Sequence, residues 1–190
     1  IANAKANGID KVYFLDTETN EVTSADINAD NTYSVVLKRI EGSEAYIASV
    51  SKPGFKLDDT NDAHKFTLEG NEPTATYSAS VVEAPTAKIS GTLTGVSDSA
   101  LKGDFGMQFV PEDVTMLPID AKLTKVSDGN YTYEAVITPG ANFKIGLINA
   151  NDYEVLGTIN KAEGTHTENI AATKKPVYKV TGNFVVSDSK

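Results

Sequence analysis

The sequence predicts an all-β protein made of two tandem antiparallel β-sandwich domains, and three observations carry that reading. The first is an internal repeat. Asp30–Leu37 reads over Asn130–Ile137, and Gly42–Leu57 over Gly140–Val155, with a two-residue indel in the intervening turn. A repeat of this length is too long for a solenoid and suits whole domains in series, for which 190 residues leave ample room. The second is an apolar period of two residues, the mark of half-buried strands. The third is the chemistry of the breaks, "SDGN", "TPGAN", "NAND", "KPGF" and "LEGNEP", each supplying the Gly, Pro, Asn or Asp that a tight turn needs.

Taken in chain order, "NGIDKVYFL" (7–15) lies over "KGDFGMQFV" (102–110), with Gly8 on Gly103 and Phe14 on Phe109. "YSVVL" predicts a strand ahead of Gly42, and its counterpart alternates Tyr131, Tyr133, Ala135 and Ile137 with Thr132, Glu134 and Thr138. Ile119, Ala121 and Leu123 alternate in the same way, as do Phe143, Ile145 and Leu147. The stretch 74–91 lies over 165–182, which places Pro85 on Pro176, Lys88 on Lys179 and Gly91 on Gly182. The register therefore predicts a first module over 1–84 that lacks its opening strand, a second over 88–176, and in 177–190 the opening strand of a third unit or a terminal strand that completes a sheet. The linker "EAPTA", with Pro85, is short and stiff. Such a pattern predicts a parent protein longer at both ends.

Composition removes several function classes. The net charge of −9 repels phosphate backbones and anionic lipid heads, so nucleic acid is not an expected partner. There is no cysteine, which removes disulfides, thiolate ligands and cysteine nucleophiles together. The longest apolar runs are too short to span a bilayer, so membrane insertion is not expected either. A monomer is the expectation, with neighbouring domains of the same longer chain as its contacts.

The order Asp128–Gly129, Tyr131, a strand, Pro139–Gly140, Phe143–Leu147 and Tyr153 resembles the transthyretin-like modules known as carboxypeptidase regulatory-like domains, and the opening "KISGTLTGVSDSALKGDFGMQFV" fits them too. The first unit departs from the pattern: Asp30, Asn31 and Tyr33 replace the turn, Gly42 stands without its Pro, and Gly54–Phe55 replaces Asp152–Tyr153. Immunoglobulin-like and fibronectin-like sandwiches share these degenerate positions and stay open as alternatives. What the resemblance implies is habitat, namely an extracellular accessory part of a large secreted or surface-attached bacterial protein, as found beside polysaccharide-degrading enzymes and in adhesins. Likeness of fold carries no chemistry.

Candidate chemistry is sparse. His64 and His166, the only two histidines, do not occupy equivalent positions in the two units, which rules out a shared general base. No nucleophile elbow, zinc-protease helix, phosphate loop or dinucleotide fingerprint occurs. No cofactor is expected. Asp58, Asp59 and Asp62 in "LDDTND" form an acidic loop of the oxygen type that calcium takes, without the spacing of an EF-hand. Lys88 and Lys179 recur at aligned positions, yet fall on the polar phase, away from the core that an interstrand Lys crosslink would need. An aromatic whose aligned twin is polar or small is the better candidate for an exposed sugar-stacking face. Tyr13 aligns with Gln108, Tyr46 with Lys144, and Tyr77 with Glu168, and Tyr178 lies over Ala87. The expected function is thus a non-catalytic accessory module holding a polysaccharide through Tyr13, Tyr46 and Tyr77. The alternative is a spacer or adhesin stalk with no ligand.

Overall fold

The computed structural model describes residues 1–37, 45–58, 65–67, 76–179 and 181. The chain is all-β. In the first half run β1 (Lys11–Asp16), β2 (Val22–Asp26), β3 (Ala45–Ser49), β4 (Phe55–Asp58), β5 (Lys65–Thr67) and β6 (Ser80–Glu83). In the second half run β7 (Ala87–Thr94), β8 (Gly106–Pro111), β9 (Ile119–Asp120), β10 (Lys122–Ser127), β11 (Asn130–Ile137), β12 (Phe143–Ile148), β13 (Tyr153–Glu154), β14 (Gly164–Thr167), β15 (Ile170–Ala171) and β16 (Thr173–Lys174). Single 3-10 turns lie at Lys5–Asn7 and Asp98–Ala100.

Among the described residues the strands form five sheets, ordered β2-β1-β3-β5, β4-β6, β10-β11-β7-β14, β12-β8-β9 and β13-β16, with β15 also on β7. Each half closes around its own apolar cluster. Ile9, Val12, Phe14, Ala25, Tyr46, Leu57 and Val81 are among the buried residues of the first, and Ile89, Leu93, Phe109, Tyr133, Ile137 and Phe143 among those of the second. The two clusters share no residue. The predicted period appears as burial: along β11, Tyr131, Tyr133, Ala135 and Ile137 are buried while Thr132 and Glu134 face solvent. Phe109 meets Tyr133 and Phe143 at centroid distances of 6.1 and 6.2 Å.

Three features differ from the sequence expectation. The run Ile119–Leu123 is not one strand: β9 pairs with β8, and β10 with β11, so the chain changes sheets at Ala121. The Ala121 amide donates to the Met107 carbonyl at 2.9 Å at that crossing, and all three apolar residues still pack on the core. Pairing is also not antiparallel throughout, because β14 and β15 both run parallel to β7. Finally, residues 33–37, aligned with β11, belong to no strand. Tyr33, Val35 and Leu37 are nevertheless half-buried against the first core, while Ser34 and Val36 are exposed.

Candidate functional site

The three tyrosines chosen from sequence do not assemble into a platform. Tyr46, expected on an outer face, is 3% exposed and belongs to the first core. The register explains the correction. Phe14 pairs with Ala48 and Phe109 with Ile145, so β3 and β12 correspond at 97 residues, not at the 98 that places Tyr46 on Lys144. Tyr46 therefore matches buried Phe143, since a one-residue slip exchanges the two faces of a strand. Tyr77 is half-buried, its ring edge-on to Phe14 at 6.4 Å and 88°. Tyr13 alone of the three keeps the predicted outer phase; it is half-buried, and its hydroxyl lies 3.5 Å from Ser51 Oγ.

The other candidates are scattered. Asp58 is exposed at the end of β4, and Asp59, Asp62 and His64 lie outside the described residues. Among the described residues no group of three His, Asp or Glu side chains could hold a metal ion. His166 is half-buried, its Nε2 at 2.8 Å from the Ala162 carbonyl. Lys88 is exposed on β7, as its polar phase predicts, and Lys179 is exposed.

What the fold does assemble are ties between distant segments. Tyr133 donates its hydroxyl proton to the Glu168 carbonyl at 2.7 Å, and Tyr33 makes the same bond to the Tyr77 carbonyl at 2.9 Å. Tyr33 aligns with Tyr133 and Tyr77 with Glu168, so the backbone tie repeats even where the side chains at its accepting end differ. In the second half it fixes the step between β14 and β15, where Asn169 Oδ1 also accepts from the Thr92 amide (3.1 Å) and Thr92 Oγ1 (3.0 Å). Burial first, and then the Glu168 charge, raise the Tyr133 phenol to about 12.

A second tie was missed in the sequence. Asp98, in the 3-10 turn after β7, accepts from Tyr131 Oη at 2.5 Å and from the Gly129 amide at 3.4 Å, and it pairs with Lys125 Nζ. It joins the Asp98–Ala100 turn to the β10–β11 hairpin. The Lys125 bond, followed by that of Tyr131, lowers the Asp98 carboxyl from 3.8 to about 2. Burial and the Asp98 bond raise Tyr131 from 10.0 to about 12. The only available signal was the Asp128–Gly129 turn, which places Tyr131 but says nothing of its partner.

These shifts fix a pH profile. Asp98 is depressed in the folded state, so its stabilisation is present above about pH 4 and is lost as pH falls from 3.8 toward 2. Tyr131 and Tyr133 are raised, so theirs is present below about pH 10 and is lost between 10 and 12. Urea midpoints measured across pH should form a plateau between these limits. Asp98→Asn should lower the plateau and flatten the acid limb between pH 4 and 2.

Between the halves lies a cleft of about 620 Å³, with Ile47, Phe55, Met116, Leu117, Ile119 and Pro139 among its lining residues. Among the described residues its charged lining residues are Lys52 and Lys56. Among the described residues no helix is long and apolar enough to cross a membrane.

No family model and no curated protein matches the chain. Among solved structures, a mutant shaft pilin SpaA from Lactobacillus rhamnosus GG aligns over 89% of this chain and 94% of that one, at 9% identity and a TM-score of 0.26. A score that low carries no argument, and the likeness to transthyretin-like modules rests on the sequence pattern alone.

Proposed function

We propose that the chain is a non-catalytic structural unit, a spacer or stalk segment of a bacterial surface or secreted protein, and that its work is to carry load and set distance. The observation that supports this most directly is the parallel pairing of β7 with β14 and β15. The chain enters the second half through β7 and leaves beyond β16. Tension along it therefore drags β7 and β15 past each other in opposite directions, and the ladder is loaded in shear with many hydrogen bonds strained at once. The first half repeats the arrangement in the parallel bridge of Ala2 to Ser80. Only Ala84–Thr86 separates β6 from β7, and Pro85 within it limits bending.

The absence of cysteine lets handles be placed at will for single-molecule pulling. Pulling through cysteines at Lys88 and Lys175 should demand a markedly higher force than pulling through Lys122 and Glu134, which face each other across β10 and β11 and separate one bond pair at a time. Equal forces would defeat the load-bearing reading. So would retention by an immobilised glycan that Tyr13→Ala abolishes, an outcome that would restore the accessory binding role.

A further inference from the structure

The cleft between the halves is a built place, with one wall from each half. After β3 the chain folds back into β4 through "KPGF" (52–55), with Gly54 at a φ of 83°. That turn is tied to the linker, since the Ala84 amide donates to the Gly54 carbonyl at 2.9 Å. Ile47 and Phe55 line the cleft from the first half, and Met116, Leu117 and Ile119 from the second. All five are half-buried, so apolar surface of both halves meets water in one concave site.

Charge marks the same site. The chain carries a net charge of −9, yet among the described residues that line the cleft the charged ones, Lys52 and Lys56, are both cations. Their situations differ. Lys52 Nζ is engaged within the first half, donating to the Asn7 carbonyl at 2.6 Å and standing 5.2 Å from the centre of the Phe55 ring. Lys56 is exposed on β4, and among the described residues its ammonium has neither a hydrogen-bond nor an ion-pair partner.

We propose that the cleft binds a free long-chain carboxylate, a fatty-acid anion, with its head group on Lys56 and its hydrocarbon chain against Phe55, Met116, Leu117 and Ile119. Small-molecule sites are concave and mostly apolar, with a few polar groups that set orientation; they span about 300–1,000 Å³ and favour domain boundaries. The 620 Å³ of this cleft falls within that range. Covering the apolar walls supplies the drive, and the ammonium adds a charge-assisted hydrogen bond to the carboxylate. A neutral alcohol of the same length keeps the first contribution and loses the second. A sugar, polar all round, leaves the walls unmatched. Because the walls belong to both halves, the bound chain lies across the joint and steadies the angle at Pro85. The proposal needs the cleft and not the parallel ladder, so it stands or falls apart from the load-bearing role.

The sequence makes the test local, because it holds two methionines. Met116 lines the cleft, while Met107 is 1% exposed in the second core. With isotope-labelled methionine methyl groups in the intact chain, laurate added below its micelle concentration should move the Met116 resonance and leave that of Met107 in place. Lys56→Gln should weaken laurate binding about tenfold, and replacing laurate by dodecanol should weaken it as much. Lys11→Gln removes the same charge from an exposed lysine paired with Asp26, and should leave the affinity unchanged. A Met116 signal that laurate does not move overturns the proposal. So does movement of both methyl signals together, the mark of a detergent loosening the core. Dodecanol binding as tightly as laurate, or equal losses in Lys56→Gln and Lys11→Gln, would overturn it as well.

Discussion

Gly91→Val is expected to detach the closing edge of the second half and to cost more than about 3 kcal/mol, beyond the usual 1–3 kcal/mol of an overpacked site. The reason is the nature of the obstacle. A Cβ at this position would sit 1.9 Å from the Glu168 carbonyl oxygen and 2.7 Å from its carbon, and these are backbone atoms that no rotamer change can move aside. The Glu168 carbonyl is also held by Tyr133 Oη, and Asn169 is bound to Thr92, so the step between β14 and β15 cannot retreat without breaking those bonds. Gly140→Ala is the control. It has the positive φ of 75°, but an added Cβ there would meet nothing within 4 Å, so only the left-handed backbone penalty of about 1–2 kcal/mol applies. Urea unfolding of both variants separates the two causes. A Gly91→Val variant no less stable than Gly140→Ala would show that the close approach does not hold in solution.

The sequence spoke clearly where one periodicity governs a whole segment. Tyr131, Tyr133, Ala135 and Ile137 form a buried face because both neighbouring strands reinforce the alternation already written in the residues. It spoke falsely at Tyr46, because the letters of Gly42–Leu57 match best at an offset of 98, with Gly42 on Gly140 and Ile47 on Ile145, while β3 itself sits at 97. Only the pairing of Ala48 with Phe14 decides between the two, and the face of every residue in β3 depends on it. Ile119–Leu123 kept its pattern and lost its unity, since alternation records which side is buried and not which sheet does the burying. The Asp98 tie was hidden for another reason. Its partners lie 27 to 33 residues away on a separate hairpin, and nothing local in "SDSA" distinguishes a carboxylate that will bond Tyr131 from one that will face water. Strand direction was likewise out of reach, because a parallel closing strand and an antiparallel one have the same alternation.

Phe109→Ala should remove about 3–5 kcal/mol from the second core and leave the first untouched. Phe109 is fully buried at the crossing of the two layers. It pairs with Ile145 and Ile119 in its own sheet and faces the rings of Tyr133 and Phe143, so truncation opens a cavity between strands that are already held by other contacts and cannot close on it. Phe14 holds the aligned place in the first core, between Ala48 and Thr23 in its sheet and beside the rings of Tyr33 and Tyr77. Because the two clusters have no residue in common, the damage should stay local. Calorimetry of the intact chain is expected to show two transitions, with Phe109→Ala lowering one and Phe14→Ala the other. A single transition that both variants lower together would instead mean that the cleft between the halves, with Phe55 and Ile47 on one side and Met116 and Ile119 on the other, couples them into one cooperative unit.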